Sequence, residues 1–319
     1  MQRAGAGRRP GHHVRRESAA RAGCWPLLLL RLQRLLGFDV IDGWQWDRSL
    51  FAGAAEYYLR GRLPYAPGFA ETLSAALDLD GRGRLLDVGC GPGNVTLALA
   101  PWFTEAIGLD PDNDMLAEAE RQAAHRGVSS VRWVCARAED LPARLGEFRV
   151  VMFASSFHWM DRDRVAATVL RMLAPGGAFV HMSDLKDAPA EPTPLPRPAP
   201  PYARIGELVR RYLGPVRRAG QGVIVTDTTP DREDLVLAGA GWESYERHVV
   251  PAGQIIDRNA DDVVAWTFSR SDSAPHLFGD RLGDFERDLR AFLREAVPDD
   301  RFAEQLPPTE IKIWRKPRH

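Results

Sequence analysis

A chain of 319 residues, 45% hydrophobic and 27% charged, has the balance of an ordinary globular protein and the length of one large or two small domains. Its 42 basic and 43 acidic side chains leave a formal net charge of −1, which lacks the basic excess that nucleic-acid-binding domains use to replace phosphate counterions. The longest clean apolar stretch, Cys24 to Leu30, ends at Arg31, well short of the roughly 20 residues that cross a bilayer.

Residues 1–44 differ in texture from the rest. Arg3, Arg8, Arg9, Arg15, Arg16 and Arg21 lie among Gly, Ala and His, and Leu27–Leu30 follows. A cationic start before an apolar run imitates a secretory signal, but Arg31 and Arg34 interrupt it. The expectation is a disordered extension; a targeting segment or a docked helix are the alternatives. Ordered structure is expected from Trp44-Gln45-Trp46. Helix follows over 71–79, with Leu73, Ala76 and Leu77 on its apolar face.

Strands and helices then alternate. Strands are expected at 84–88, 105–109, 131–135, 148–153 and 177–182, with helices at 95–102, 113–126 and 162–173. Such alternation implies an α/β fold, a parallel sheet covered by helices on both faces. Residues 45–186 make up this part. The segment 187–201 is dominated by proline, which excludes helix and central strand and reads as a stiff connector. Helices near 205–213, 232–238 and 280–296 and strands at 244–250 and 310–314 place the completion of the sheet in 202–319.

The first strand runs into Gly89-Cys90-Gly91-Pro92-Gly93. Glycines there permit positive φ and let backbone approach a ligand without a Cβ in the way. The next strand closes at Gly108-Leu109-Asp110, where a carboxylate can accept hydrogen bonds from both hydroxyls of a ribose. A dinucleotide fingerprint wants its third glycine at position 94, which holds Asn94, so a nicotinamide coenzyme is disfavoured. Cys90 reads as a small residue tolerated in the loop. With Cys24 and Cys135 it shows no metal-ligand or redox spacing, so no metal is expected and a reducing cytoplasm is the simplest setting.

Leu86-Asp87-Val88-Gly89-Cys90-Gly91-Pro92-Gly93 resembles the first motif of class I S-adenosylmethionine-dependent methyltransferases, particularly the broad small-molecule group. The resemblance runs on through Asp110-Pro111-Asp112 and Met115, Ala138-Glu139-Asp140-Leu141-Pro142, Phe157-His158-Trp159 and Leu173-Ala174-Pro175-Gly176-Gly177. It implies a Rossmann-like fold with a seven-stranded, mostly parallel sheet and S-adenosylmethionine as cofactor. It further implies cofactor contacts at Asp87, Gly89, Cys90, Gly91, Gly93, Asp110, Pro111, Met115, Ala138 and Glu139. Many relatives carry Asp before the Ala-Glu pair to receive the adenine amino group; here Arg137 stands there, leaving the amide of Ala138 and the carboxylate of Glu139 for that task.

Methyl transfer from a sulfonium is an in-line displacement that needs alignment, with a base only where the acceptor keeps its proton. His158 follows the fourth strand, where the transferred methyl is expected, and is the candidate base, with Trp159 walling the pocket; the alternative is that both fix the loop structurally. Tyr58 and Arg62 precede the core and are candidates for the methionine carboxylate or an acidic substrate, against a reading as packing around a turn. Asp161 reads as the cap of the following helix. The resemblance implies that 202–319 shapes an acceptor pocket; its aromatic segments 266–270 and 275–278 fit either core or that pocket. The expected activity is methylation of a small organic acceptor, with no nucleic-acid or membrane partner. An RNA or protein methyltransferase, a nicotinamide oxidoreductase and a non-catalytic scaffold are the rivals.

Overall fold

The computed structural model describes residues 15–17, 47–185, 194–219, 222–224 and 233–317. Its main sheet has eight strands: β1 (Arg15–Glu17), β2 (Arg84–Val88), β3 (Glu105–Asp110), β4 (Val131–Cys135), β5 (Phe148–Ala154), β6 (Leu173–Asp184), β7 (Tyr245–Val250) and β8 (Thr309–Arg315). Their spatial order is β1-β7-β8-β6-β5-β2-β3-β4. Neighbours from β6 to β4 are parallel, whereas β8 runs antiparallel to both β6 and β7. The chain enters at β2, winds outward through β3 and β4, then returns to β5 on the other side. That reversal opens a crevice at the carboxyl ends of β2 and β5, where ligands of such sheets bind.

The helices are α1 (Ala55–Gly61), α2 (Phe69–Ala76), α3 (Asn94–Leu99), α4 (Asn113–Arg126), α5 (Arg162–Met172), α6 (Tyr202–Leu213), α7 (Glu233–Gly239), α8 (Ala260–Phe268) and α9 (Leu282–Ala296). Successive strand residues point to opposite faces, so Leu86, Val151 and Phe179 join Val165 and Val169 of α5 in one core. Leu85, Val150 and Val180 join Leu73 of α2 and Leu99 of α3 in another. Burial on both faces is why these strands read as continuous apolar runs. Asp112 Oδ1 accepts from Asp114 N and Met115 N and caps α4, whose far end stops at Gly127 with φ 65°. Asp161 Oδ1 accepts from Arg164 N at 3.3 Å and caps α5, as expected.

The C-terminal helices enclose a third core, in which Phe268, Phe278 and Phe285 are buried and the last two stack with centroids 4.0 Å apart. Both aromatic segments of the C-terminal part therefore contribute to packing. Two helices carry no expectation from the sequence, α1 and α8, and they lie against each other. A Cβ on Gly61 would come 2.4 Å from the carbonyl of Ala265, so the two backbones meet at van der Waals contact. Arg258, 6% exposed, reaches across with Nη2 donating to the carbonyls of Gly61 and Asp262 at 2.8 Å each.

Of residues 1–44 only Arg15–Glu17 is described, as an edge strand antiparallel to Tyr245–Arg247. The disorder, targeting and docked-helix readings of the remainder lie outside the described residues, as does 187–193 of the proline-rich connector. Among the described residues no helix is long and apolar enough to cross a membrane.

Candidate active site

The turn after β2 is built by glycines for two different reasons. Gly91 (φ 53°) has no protein atom within 4 Å of where a Cβ would stand, and it lines the cavity at the sheet crevice. Gly93 (φ 79°) and Gly108 lack a Cβ because the indole of Trp133 occupies the space, at 2.5 and 2.4 Å. Gly89 (φ 70°) meets Ser156 Cβ at 2.7 Å. One ring from β4 thus requires two glycines on neighbouring elements.

The cavity holds about 820 Å³ of space, part of it open to solvent. Its floor is Gly89, Gly91 and Asp110 from the strand ends. One flank is Pro111, Asp112 and Met115 at the start of α4 with Arg137, Ala138 and Glu139 after β4. The other is Ala154, Ser155 and Ser156 after β5, with Trp159 and Met160. Arg48, Leu50 and Phe51 from the turn before α1, together with Tyr58 of α1, roof it. Phe51 meets Trp159 edge to face with centroids 5.3 Å apart, joining roof to flank.

Asp110 is buried, its Oδ2 accepting from Gly91 N and its Oδ1 from Asp112 N, each at 2.9 Å. Burial pushes its carboxyl up to about 6, and the two amides pull the other way. Each carboxylate oxygen still has a lone pair for a ligand hydroxyl. Asp87 lies one strand away and behind the wall, fully buried, with Oδ2 accepting from Thr96 Oγ1 at 2.6 Å and Oδ1 without a partner. Burial lifts it to about 7. Glu139 Oε1 accepts from Asp161 N at 2.8 Å and its other oxygen lies 3.7 Å from Arg137 Nε, so it ties the β4 and β5 connections together across the cavity flank.

Seven expected cofactor residues therefore line the cavity: Gly89, Gly91, Asp110, Pro111, Met115, Ala138 and Glu139. Asp87, Cys90 and Gly93 support it from behind, with Cys90 buried and its Sγ directed to the Gly91 carbonyl at 3.6 Å. Tyr58 and Trp159 line it. Arg62 does not; its Nη2 donates to the Ser269 carbonyl at 3.0 Å and its guanidinium lies over the Tyr58 ring. His158 also stands outside the wall, its ring 4.7 Å from that of Trp159. Among the described residues, none of 202–319 lines the cavity. That part acts on it from behind: α8 braces α1, and His276 Nδ1 lies 3.0 Å from the Ala52 carbonyl in the roof turn.

The sequence reading did not single out Arg48, Leu50, Phe51, Ser155, Ser156 and Met160. The serines had an available signal, small polar residues directly after the strand at the sheet's reversal point. The roof turn had none, because it is irregular and shows no hydrophobic period.

Residues 85–177 match the model of a family described as a methyltransferase domain. The probable S-adenosylmethionine-dependent methyltransferase CRG1 of Saccharomyces cerevisiae is 35% identical over 100 residues, 31% of this chain and 34% of that protein. The uncharacterized methyltransferase YcgJ of Bacillus subtilis is 32% identical over 110 residues, 34% of this chain and 43% of that protein. The 2-heptyl-1-hydroxyquinolin-4(1H)-one methyltransferase of Mycobacteroides abscessus is 28% identical over 170 residues, 51% of this chain and 74% of that protein. The match to the first two spans less than half of their own length.

Proposed function

Residues 85–177 belong to the class I S-adenosylmethionine-dependent methyltransferases, and on that premise we propose that this chain transfers a methyl group to a small organic acceptor. The observation that carries the reading is the cavity at the β2–β5 crevice with Asp110 in its floor and Gly91 leaving room that no protein atom claims. A carboxylate with two free lone pairs suits the paired hydroxyls of a ribose, and Ala138 and Glu139 on the β4 side suit an adenine edge. Bound there, S-adenosylmethionine would supply an activated methyl for in-line displacement by an acceptor held in the same cavity.

The chain's own contribution is alignment and exclusion of water. Phe51 and Tyr58 roof the cavity, Trp159 on its flank meets Phe51, and the brace of α8 on α1 keeps that roof in place. A concave site lined in part by aromatic rings fits a small, partly apolar acceptor; the net charge of −1 is consistent with an acceptor that is not nucleic acid. The hydroxyquinolone methylated by the mycobacterial relative is an acceptor of this size class. A cytoplasmic setting and a diffusible acceptor are part of the same proposal.

Calorimetric titration with S-adenosylmethionine, S-adenosylhomocysteine and NAD tests the donor. Binding of the first two and not the third is expected, with Asp110→Ala weakening both at least about tenfold, the value of one or two hydrogen bonds to a charged group. Binding of NAD alone, or unchanged affinity in the variant, overturns the reading.

A further inference from the structure

The cavity lining is divided by chemistry as well as by element. Its carboxylates, Asp110, Asp112 and Glu139, all stand on the β3–β4 side, and each accepts from at least one backbone amide. The β5 flank is Ala154, Ser155, Ser156, Trp159 and Met160. It holds no imidazole, amine or carboxylate, and Ser156 Oγ already donates to the Val88 carbonyl at 2.6 Å. With ribose on Asp110 and adenine toward β4, the methyl to be transferred falls on the β5 side. An acceptor attacking there finds no side chain of that flank suited to take a proton from it.

The roof supplies charge instead. Asp47 turns its Oδ1 onto Ser49, accepting from N at 2.9 Å and from Oγ at 2.8 Å, while Leu50 N donates to the Asp47 carbonyl at 3.3 Å. The turn so fixed leaves Arg48 lining the cavity with Leu50 and Phe51, and Phe51 meets Trp159 of the β5 flank. Among the described residues no acid pairs with Arg48, whereas Arg137 faces Glu139 and Asp140 at 3.7 Å each. One guanidinium of the lining is paired within the protein, and the other is open to a ligand. A guanidinium matches a carboxylate with two parallel hydrogen bonds.

We propose that the acceptor is a carboxylic acid with an apolar body, bound as its carboxylate by Arg48 and methylated on oxygen; the inference rests on the methyl-donor reading of this cavity. A carboxylic acid titrates at about 4, so at neutral pH it has already lost the proton that an alcohol keeps. An electron pair of the carboxylate oxygen forms the bond to the methyl carbon. The carbon–sulfur bond breaks with its electrons left on sulfur, and no proton moves. The products are a methyl ester and S-adenosylhomocysteine. The reacting anion and cation cancel, and their attraction is stronger in a site shielded from water. Leu50, Phe51, Trp159 and Met160 supply apolar surface for the body of the acid.

The test titrates phenylacetate, indole-3-acetate and octanoate, each beside its neutral amide of the same shape, into the full chain saturated with S-adenosylhomocysteine. At least one acid is expected to bind about tenfold tighter than its amide, the scale of a hydrogen bond to a charged group. Arg48→Gln should erase that preference and leave the affinity for S-adenosylhomocysteine unchanged, whereas Arg48→Lys, which keeps the charge, should retain part of it. Arg48 is exposed, so neither replacement disturbs a core. With a methyl-labelled donor, the preferred acid should yield its methyl ester at a saturated rate that is level between about pH 6 and 9, because no group gives up a proton in that range. Equal binding of every acid and its amide, an unchanged preference in Arg48→Gln, or loss of S-adenosylhomocysteine affinity in that variant overturns the assignment. So does absence of ester, or a rate that follows a single titration in that range, which would bring in a base such as Tyr58. Each of these leaves the donor reading intact, whereas an unaltered chain that binds no S-adenosylhomocysteine overturns both.

Discussion

Asp110 and Glu139 are both buried acids beside one cavity, yet they have different duties. Asp110 holds two backbone amides and keeps a lone pair per oxygen for a ligand, whereas Glu139 is tied to Asp161 N and faces Arg137. Arg137 thus forms a partner for Glu139 and Asp140 on the cavity flank. His158 lies beside Trp159 and is not among the residues that line the cavity. His158→Ala should keep kcat within about threefold with the first acceptor that screening identifies, because a base of real consequence contributes about a hundredfold or more. A hundredfold loss of kcat at unchanged donor affinity would restore the histidine as the base.

At the scale of elements, the roof of the cavity depends on helices that the chain supplies 200 residues apart in sequence. The α1–α8 contact is close because Gly61 has no side chain, and Arg258 holds the carbonyl at the same point. Gly61→Ala drives a methyl into the Ala265 backbone, which cannot yield as a flexible side chain can. A loss of about 1–3 kcal/mol is expected in thermal or urea denaturation, together with weaker binding of S-adenosylhomocysteine as α1 and Tyr58 shift. Full stability and affinity in this variant would show that α1 is not held by α8. The exposed Arg60 pairs with Asp261 and Asp262 in the same interface should matter little by comparison.

These elements also mark what the sequence makes legible. The central strands announce themselves because burial on both faces demands continuous apolar residues, and the glycine turn with Asp110 follows from their order. The turn at 47–53 and the two-turn helix α1 are too short to show a period, and their meaning comes from contacts with residues far along the chain. Gly93 illustrates a second limit. Its glycine is visible in the sequence, but the Trp133 indole that fills the place of its Cβ is not. The aromatic residues around Phe268 and Phe278 could serve pocket or core on sequence grounds, and only the packing of α8 against α9 decides for core.

For the whole molecule, the centre of the sheet carries an electrostatic cost that pH reveals. Asp87 titrates near 7 in the folded chain against an ordinary value of 3.8. The folded state therefore holds its proton more tightly than the unfolded one. Stability from this group is fully present below about pH 4 and is lost as pH rises toward 7. Asp110, at about 6, acts in the same direction. Asp87→Asn should gain on the unaltered chain as pH climbs from 4 to 7.5, by roughly 2–4 kcal/mol, read as the difference in melting temperature at each pH. A pH-independent difference would show that the carboxyl is not desolvated as the fold implies.

The placement of β8 has a consequence for how the molecule is made. This strand lies between β6 and β7, so β7 cannot join the sheet until residues 309–315 have arrived. The five parallel strands, by contrast, are complete once residue 184 has been synthesised, and among the described residues every one that lines the cavity lies before that point. During vectorial synthesis the donor site can assemble first. The brace that secures its roof comes from α8, and so arrives only with the later half of the chain. A nascent chain stalled between residues 190 and 250 would then present a formed cavity under an unsecured roof.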